Sequence, residues 1–146
     1  MIQRFRDNEE TVYDFSDSFL VRCPSCENCA KIVVSDNSFT ATASCTRCGW
    51  SKKRDDDSYS FSNDATDWYF GLPLWLQTSC CGEVLWARNE CHLQHMKQFV
   101  GAPIRERANK RNPKNKSLIS RYPKWLKLAR NRSAILEGIA RLEAKL

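Results

Sequence analysis

The sequence predicts an α+β protein: an N-terminal zinc ribbon of antiparallel strands, then a β-hairpin, then a small C-terminal helical unit. Three observations carry this. Two Cys-x-x-Cys units, Cys23–Cys26 and Cys45–Cys48, bracket short β-prone runs. A dense apolar block follows, with a second turn signal at Cys81-Gly82. Helical periodicity begins only after Asn89.

Taken in order, residues 1–18 form a polar, acidic arm with Phe5, Val12, Tyr13 and Phe15 scattered through it. A loose strand or an extended arm is expected there. Residues 19–54 read as the ribbon. Ile32-Val33-Val34 and Phe39-Thr40-Ala41-Thr42-Ala43 are strand-prone, and Ser35-Asp36-Asn37-Ser38 between them has hairpin-turn chemistry. Residues 55–67, opening with Asp55-Asp56-Asp57, read as an acidic linker, and Asp64 and Asp67 in it as solvated surface.

Residues 68–146 form the second unit. Trp75–Ser79 and Val84–Ala87 are expected to pair across Cys81-Gly82. Asn89 suits the N-cap of a helix over Glu90–Val100, with Leu93, Met96 and Val100 on one face and Gly101 and Pro103 as its stop. Residues 105–117 read as a basic loop. Pro123 suits the first position of a helix over 123–130, with Trp125, Leu126, Leu128 and Ala129 on its apolar side. A last helix over Ser133–Lys145 should bury Ile135, Ile139 and Leu142.

The cysteines carry the chemistry. Eighteen residues separate Cys26 from Cys45, inside the range of Cys-x-x-Cys zinc sites. Two residues between thiolates let one tight turn aim both sulfurs at one ion, and Gly49 can adopt the positive φ such a turn needs. Cys23, Cys26, Cys45 and Cys48 are therefore the expected ligands of one structural Zn²⁺. Four thiolates leave no position for water or substrate, so a closed site of this kind contributes folding energy rather than catalysis. Cys26-Glu27-Asn28-Cys29 is a further Cys-x-x-Cys, so Cys29 could replace Cys23; the Cys-Pro-x-Cys form favours Cys23.

Other constellations are weaker. Cys91 and His95 stand at i, i+4 on the expected helix, with Cys80 and Cys81 just before, and a second metal site would need all of these to converge. Adjacent cysteines seldom aim at one ion, and thiols packed beside Trp75 and Trp86 are the simpler expectation. Cys91 with His95 as a nucleophile and its base has no orienting third residue. The sequence holds no His-Glu-x-x-His, glycine-rich phosphate loop or Gly-x-Ser-x-Gly elbow. No enzyme and no small-molecule substrate are expected.

The N-terminus begins with charge and has no apolar h-region, predicting no signal peptide. No apolar run reaches the roughly 18 residues of a membrane span. A cytoplasmic protein without a membrane partner is the expectation, and reducing conditions favour metal over disulfides. Charge is uneven. Residues 1–70 carry a net −4 and residues 71–146 a net +10. The stretch Arg105–Arg132 holds 11 cations against Glu106 alone. Arg121, Lys124, Lys127 and Arg130, with the acidic Asp55, Asp56 and Asp57, are the candidate partner-binding residues. Nucleic acid is one partner such a segment could take, although Tyr122 and Trp125 are its only rings.

Cys23-Pro24-x-Cys26 with Cys45-x-x-Cys48-Gly49 resembles the zinc ribbon of the transcription factor IIB type. The later block is similar to a group of small, mostly uncharacterised bacterial zinc-ribbon proteins. It runs Gly71-Leu72-Pro73-Leu74-Trp75-Leu76-Gln77, Cys80-Cys81-Gly82, Leu85-Trp86-Ala87-x-Asn89, His92-Leu93 and Ser120-Arg121-Tyr122-Pro123-Lys124-Trp125. Some small bacterial proteins of this kind accompany Rhs-type polymorphic toxins as immunity partners that cover a toxin's active site. The resemblance implies a non-catalytic module that binds a protein partner, such as a toxin domain. A nucleic-acid-binding ribbon using Arg105–Arg132 is the alternative.

Overall fold

A computed structural model describes residues 4–6, 17–35, 40–54, 64–102, 104–106 and 122–146. The first layer is a four-stranded antiparallel sheet, β2 (Ser18–Arg22), β3 (Cys29–Val34), β4 (Ala41–Ser44) and β5 (Ser51–Arg54), in that order. A three-residue strand before it, β1 (Arg4–Arg6), pairs elsewhere. Alternation sets which side of the sheet is covered. Phe19, Val21, Ala30, Ile32, Ala41 and Ala43 are buried on one face, while Lys31, Thr42 and Ser44 are exposed on the other.

Strand β5 has no apolar residue to contribute to that face. Lys52 and Arg54 stand opposite Ala43 and Ala41. Lys52 Nζ lies 5.9 Å from the centroid of Phe70, and Arg54 donates to the Tyr69 carbonyl. Lys52 is exposed and Arg54 half-buried, and a lysine-rich edge strand resists pairing with other chains.

The other edge of the sheet is stitched to the second unit. Leu20 N–H donates to Arg88 O (2.8 Å), Arg22 N–H to Pro73 O (2.9 Å) and Trp75 N–H to Leu20 O (2.9 Å). Phe19 meets the edges of Trp68 and Tyr69 at 5.6 and 6.1 Å between centroids. One buried cluster therefore runs from the ribbon into the helical unit.

The second unit begins with the hairpin β6 (Leu76–Cys80) and β7 (Glu83–Ala87). Cys81 and Gly82 both have positive φ, 54° and 76°, as a two-residue turn matched to the twist of the strands requires. Helix α1 (Glu90–Gly101) starts where Asn89 accepts from His92 N–H at 2.8 Å. Helix α3 (Arg132–Glu143) buries Ile135, Ile139 and Leu142 and lies across β6 and α1. Gly138 lets it approach: a Cβ there would meet Leu85 Cδ2 at 2.8 Å.

Two expectations change. The helix expected over 123–130 is a single turn, α2 (Lys124–Lys127), followed by extended Leu128 and a 3₁₀ turn over Ala129–Asn131. The Asn131 side-chain amide donates to Trp125 O (2.8 Å), ending the ladder after one turn. Leu126 is buried, Trp125 and Leu128 are half-buried, and Ala129 is exposed. The stretch read as a basic loop from residue 105 opens inside a strand, β8 (Ile104–Glu106), which pairs in parallel with β1. The segments 36–39, 55–63 and 107–121 lie outside the described residues, including Asp55, Asp56, Asp57 and Arg121.

Candidate metal centre

Two chain turns build the centre, and they use the same local bonds. In the first, Cys23 N–H donates to Asn28 O (2.7 Å) and Glu27 N–H to Cys23 O (2.9 Å). In the second, Cys45 N–H donates to Trp50 O (2.8 Å) and Gly49 N–H to Cys45 O (2.9 Å). Each turn leaves a strand end, since Cys23 follows β2 and Cys45 follows β4. The pairing of β2, β3 and β4 brings those ends together.

The result is a quartet of sulfurs. Cys23, Cys26, Cys45 and Cys48 offer Sγ atoms that all lie within 4.8 Å of one another and could hold a metal ion. Cys23 Sγ is 3.6 Å from Cys48 Sγ, and Cys26 Sγ is 3.6 Å from Cys45 Sγ. A disulfide would need about 2.05 Å, so these are separate thiols facing a common point.

Polar hydrogens converge on the sulfurs. Ser25 N–H points at Cys23 Sγ (3.4 Å), and the Asn28 side-chain amide at Cys26 Sγ (3.6 Å). The backbone N–H of Asn28, aided by that amide, outweighs partial desolvation and brings the Cys26 thiol down to about 6. At Cys48 the Trp50 N–H pulls downward, but desolvation and hydrogen bonds with the other three cysteines prevail and push it up to about 11. Crowded thiols resist losing successive protons; a bound cation would take the place of those protons.

Cys29 stands outside the quartet. Its thiol donates to Ala30 O (3.7 Å), its carbonyl accepts from the Cys45 thiol (3.7 Å), and burial pushes its pKa up. Cys80, Cys81, Cys91 and His95 do not converge. Cys80 and Cys81 have sulfurs 3.6 Å apart, Cys91 is exposed, and His95 Nδ1 shares a 2.7 Å hydrogen bond with Tyr122 Oη. Among the described residues the ribbon quartet is the one such ligand cluster. Of the candidate partner-binding residues, Lys124 and Arg130 are exposed and Lys127 is half-buried.

Asp67, expected on a solvated surface, is 3% exposed. Its Oδ1 accepts from Tyr69 N–H (2.8 Å) and Phe70 N–H (2.7 Å), and its Oδ2 from Leu72 N–H (2.6 Å). The carboxylate folds residues 67–72 into the turn that delivers Trp68 and Tyr69 to the core. A carboxylate directly ahead of three aromatic residues and Gly71 is the available signal. Arg88, 1% exposed, was not singled out. Its guanidinium carbon lies 5.0 Å from the Trp68 ring and 4.9 Å from that of Trp86. No local pattern announces that arrangement.

Among the described residues no helix is long and apolar enough to cross a membrane. No family model, no curated protein and no solved structure matches the chain.

Proposed function

We propose that this chain is a non-catalytic binding protein, in which a ribbon closed by one structural Zn²⁺ carries a hairpin-and-helix unit that recognises a protein partner. The observation that carries this is the sulfur quartet. Soft, four-fold thiolate sites suit zinc or iron–sulfur chemistry, and zinc closes them without further components. Separations of 3.6 Å approach the edge of about 3.8 Å of a tetrahedron with arms of about 2.3 Å. Cys23, Cys26, Cys45 and Cys48 would hold the ion, which supplies folding energy and leaves no coordination position for a substrate. Free thiols in this number fit a reducing, cytoplasmic setting.

The partner reading draws support from charge. Lys124 and Arg130 are exposed on a short segment, Tyr122–Arg132, that has no acidic residue. A toxin domain is the partner that the ribbon-protein resemblance suggests, and these cations would suit an acidic surface on it. Those same cations favour a second reading, a nucleic-acid backbone bound by counterion release.

The test has two parts. Elemental analysis of the reduced protein should return one zinc per chain. Co-expression with the product of the neighbouring open reading frame should yield a stable complex and rescue from toxicity. A labelled DNA or RNA probe that binds with a steep salt slope, lost in Lys124→Glu and Arg130→Glu, would instead establish the second reading.

A further inference from the structure

Two cysteines adjacent in the chain meet at the tip of the second hairpin. Cys80 ends β6 opposite Glu83, and Cys81 and Gly82 make the turn between them. With Cys81 at φ 54°, the two Sγ atoms lie 3.6 Å apart. Their surroundings differ. Cys80 is 6% exposed and donates its one thiol hydrogen to Ala134 O of α3 at 3.6 Å, so Cys81 is the donor to Cys80 Sγ. Cys81 is exposed. One sulfur is anchored against α3 and the other is open to solvent.

This geometry selects an occupant. Adjacent Cα atoms are about 3.8 Å apart, short of the about 4.4–6.8 Å that disulfides span, so a Cys80–Cys81 disulfide would be strained and readily reduced. A tetrahedral metal needs two further ligands, and among the described residues no third Cys, His, Asp or Glu joins this pair. Arms of about 2.3 Å, the length of a zinc–thiolate bond, would subtend about 103° across the 3.6 Å separation. A centre that binds two sulfurs in a line would need them about 4.6 Å apart on the same arms. The pair suits a soft, bent centre that is satisfied by two thiolates.

We propose that Cys80 and Cys81 form a binding site for trivalent arsenicals of the type R–As(OH)₂, whose pyramidal arsenic offers two exchangeable positions. Cys81, the accessible thiol, makes the first bond, and Cys80 closes the ring. Two As–O bonds break and two As–S bonds form. Each thiol hydrogen leaves with a hydroxide as water, and no oxidation state changes. Burial first, then the hydrogen bond and charge of Cys81, push the Cys80 thiol up to about 11, while Arg141 pulls it down. Once Cys81 is bonded to arsenic its charge no longer opposes ionisation of Cys80. Arg141, whose Nη2 donates to Ser79 O at 2.9 Å, stays in place to favour it. Ring closure also removes the hydrogen that Ala134 O accepts, so occupancy is registered where the hairpin packs on α3. The site is separate from the sulfur quartet and does not depend on the protein-partner reading.

The experiment uses the zinc-loaded full chain and phenylarsine oxide, hydrated in water to the dihydroxide, with native mass spectrometry and thiol titration as readouts. The wild type should gain one phenylarsenic group, lose two titratable thiols and keep its zinc. The adduct should survive excess monothiol and be removed by a small dithiol. Losing one arm of a two-point attachment costs at least about a hundredfold in affinity, so Cys81→Ser and Cys80→Ser should each weaken binding by that factor. Cys29→Ser and Cys91→Ser should bind as the wild type does. Cys80 is buried and its variant can lose stability; Cys81→Ser, at an exposed position, should keep the wild-type melting temperature and decides the matter. No adduct on the wild type, an adduct that expels zinc, or an adduct that persists in Cys81→Ser would overturn the proposal.

Discussion

Glu27 and Gly49 occupy the same place in the two halves of the sulfur centre, each following the second cysteine of its pair with φ at 65° and 80°. Both donate N–H to the carbonyl of the first cysteine at 2.9 Å. One half thus meets a left-handed requirement with the residue suited to it, and the other with a glutamate.

The two positions should respond oppositely to substitution. A β-branched residue is penalised by about 1–2 kcal/mol in this region, so Gly49→Val should lower the melting temperature of the metal-loaded protein by several degrees. Glu27→Gly relieves a similar strain and gives up the Arg22 ion pair (3.0 Å), an exposed contact that contributes under about 1 kcal/mol. It should hold or raise the melting temperature. Loss of stability in Glu27→Gly equal to that in Gly49→Val would show that the two turns are not equivalent.

Metal content should separate the quartet from its neighbour. Cys45→Ser removes a ligand and should release the ion and unfold the ribbon, seen as lost near-ultraviolet circular dichroism and zinc near zero. Cys29→Ser should keep one zinc per chain. Because the ligands bind as thiolates, acidification should release the ion, and raising the pH should restore it. A Cys29→Ser protein without metal would move the site.

Asp67 offers a graded test. Asp67→Ala strips the acceptor from three backbone N–H groups and should cost about 3 kcal/mol in urea unfolding. Asp67→Asn keeps an oxygen for Tyr69 and Phe70 but loses the one that Leu72 uses, so its cost should fall between wild type and Asp67→Ala. Equal costs for the two variants would contradict this division of the carboxylate.

At Gly138, added volume has no free space. Gly138→Ala places a methyl against Leu85 Cδ2 at 2.8 Å and near Cys80 Sγ at 3.5 Å. Helix propensity favours alanine by about 1 kcal/mol, yet overpacking costs about 1–3 kcal/mol, and the net should be destabilising. A rise in urea midpoint would mean that Leu85 yields easily.

His92 should make stability depend on pH near neutrality. Burial first, then the charge of Arg88 and the nearby His95, hold its pKa well below 6.5. The unfolded chain takes up a proton near its ordinary value of about 6.5, and the folded protein does not. Its contribution is therefore present above about 6.5 and lost as pH falls below it, with a slope of up to about 1.4 kcal/mol per pH unit. His92→Asn, which can keep an acceptor for Arg88 N–H, should flatten the slope of the urea midpoint between pH 7.5 and 5.5 relative to wild type. An identical slope in the variant would assign the pH dependence elsewhere.

Local chemistry is legible in the sequence. The Asn89 cap, the Cys81-Gly82 turn and the apolar face Ile135, Ile139 and Leu142 depend on residues within a few positions of each other, so spacing reveals them. The helix expected over 123–130 stops after one turn for the complementary reason. Its apolar spacing suits a helix, but the Asn131 amide competes for the Trp125 carbonyl, and a bond of that kind does not register in a periodicity.

By itself the sequence determined the sulfur pairs and the order of strands, hairpin and helices, because two-residue spacing and alternation are properties of adjacent residues. The tertiary structure alone decided that Asp67 is buried, that Arg88 lies between Trp68 and Trp86, and that Arg4–Arg6 pairs with Ile104–Glu106. Each of these depends on segments remote in the chain meeting in space. Burial and desolvation belong to that meeting, and no single segment encodes them.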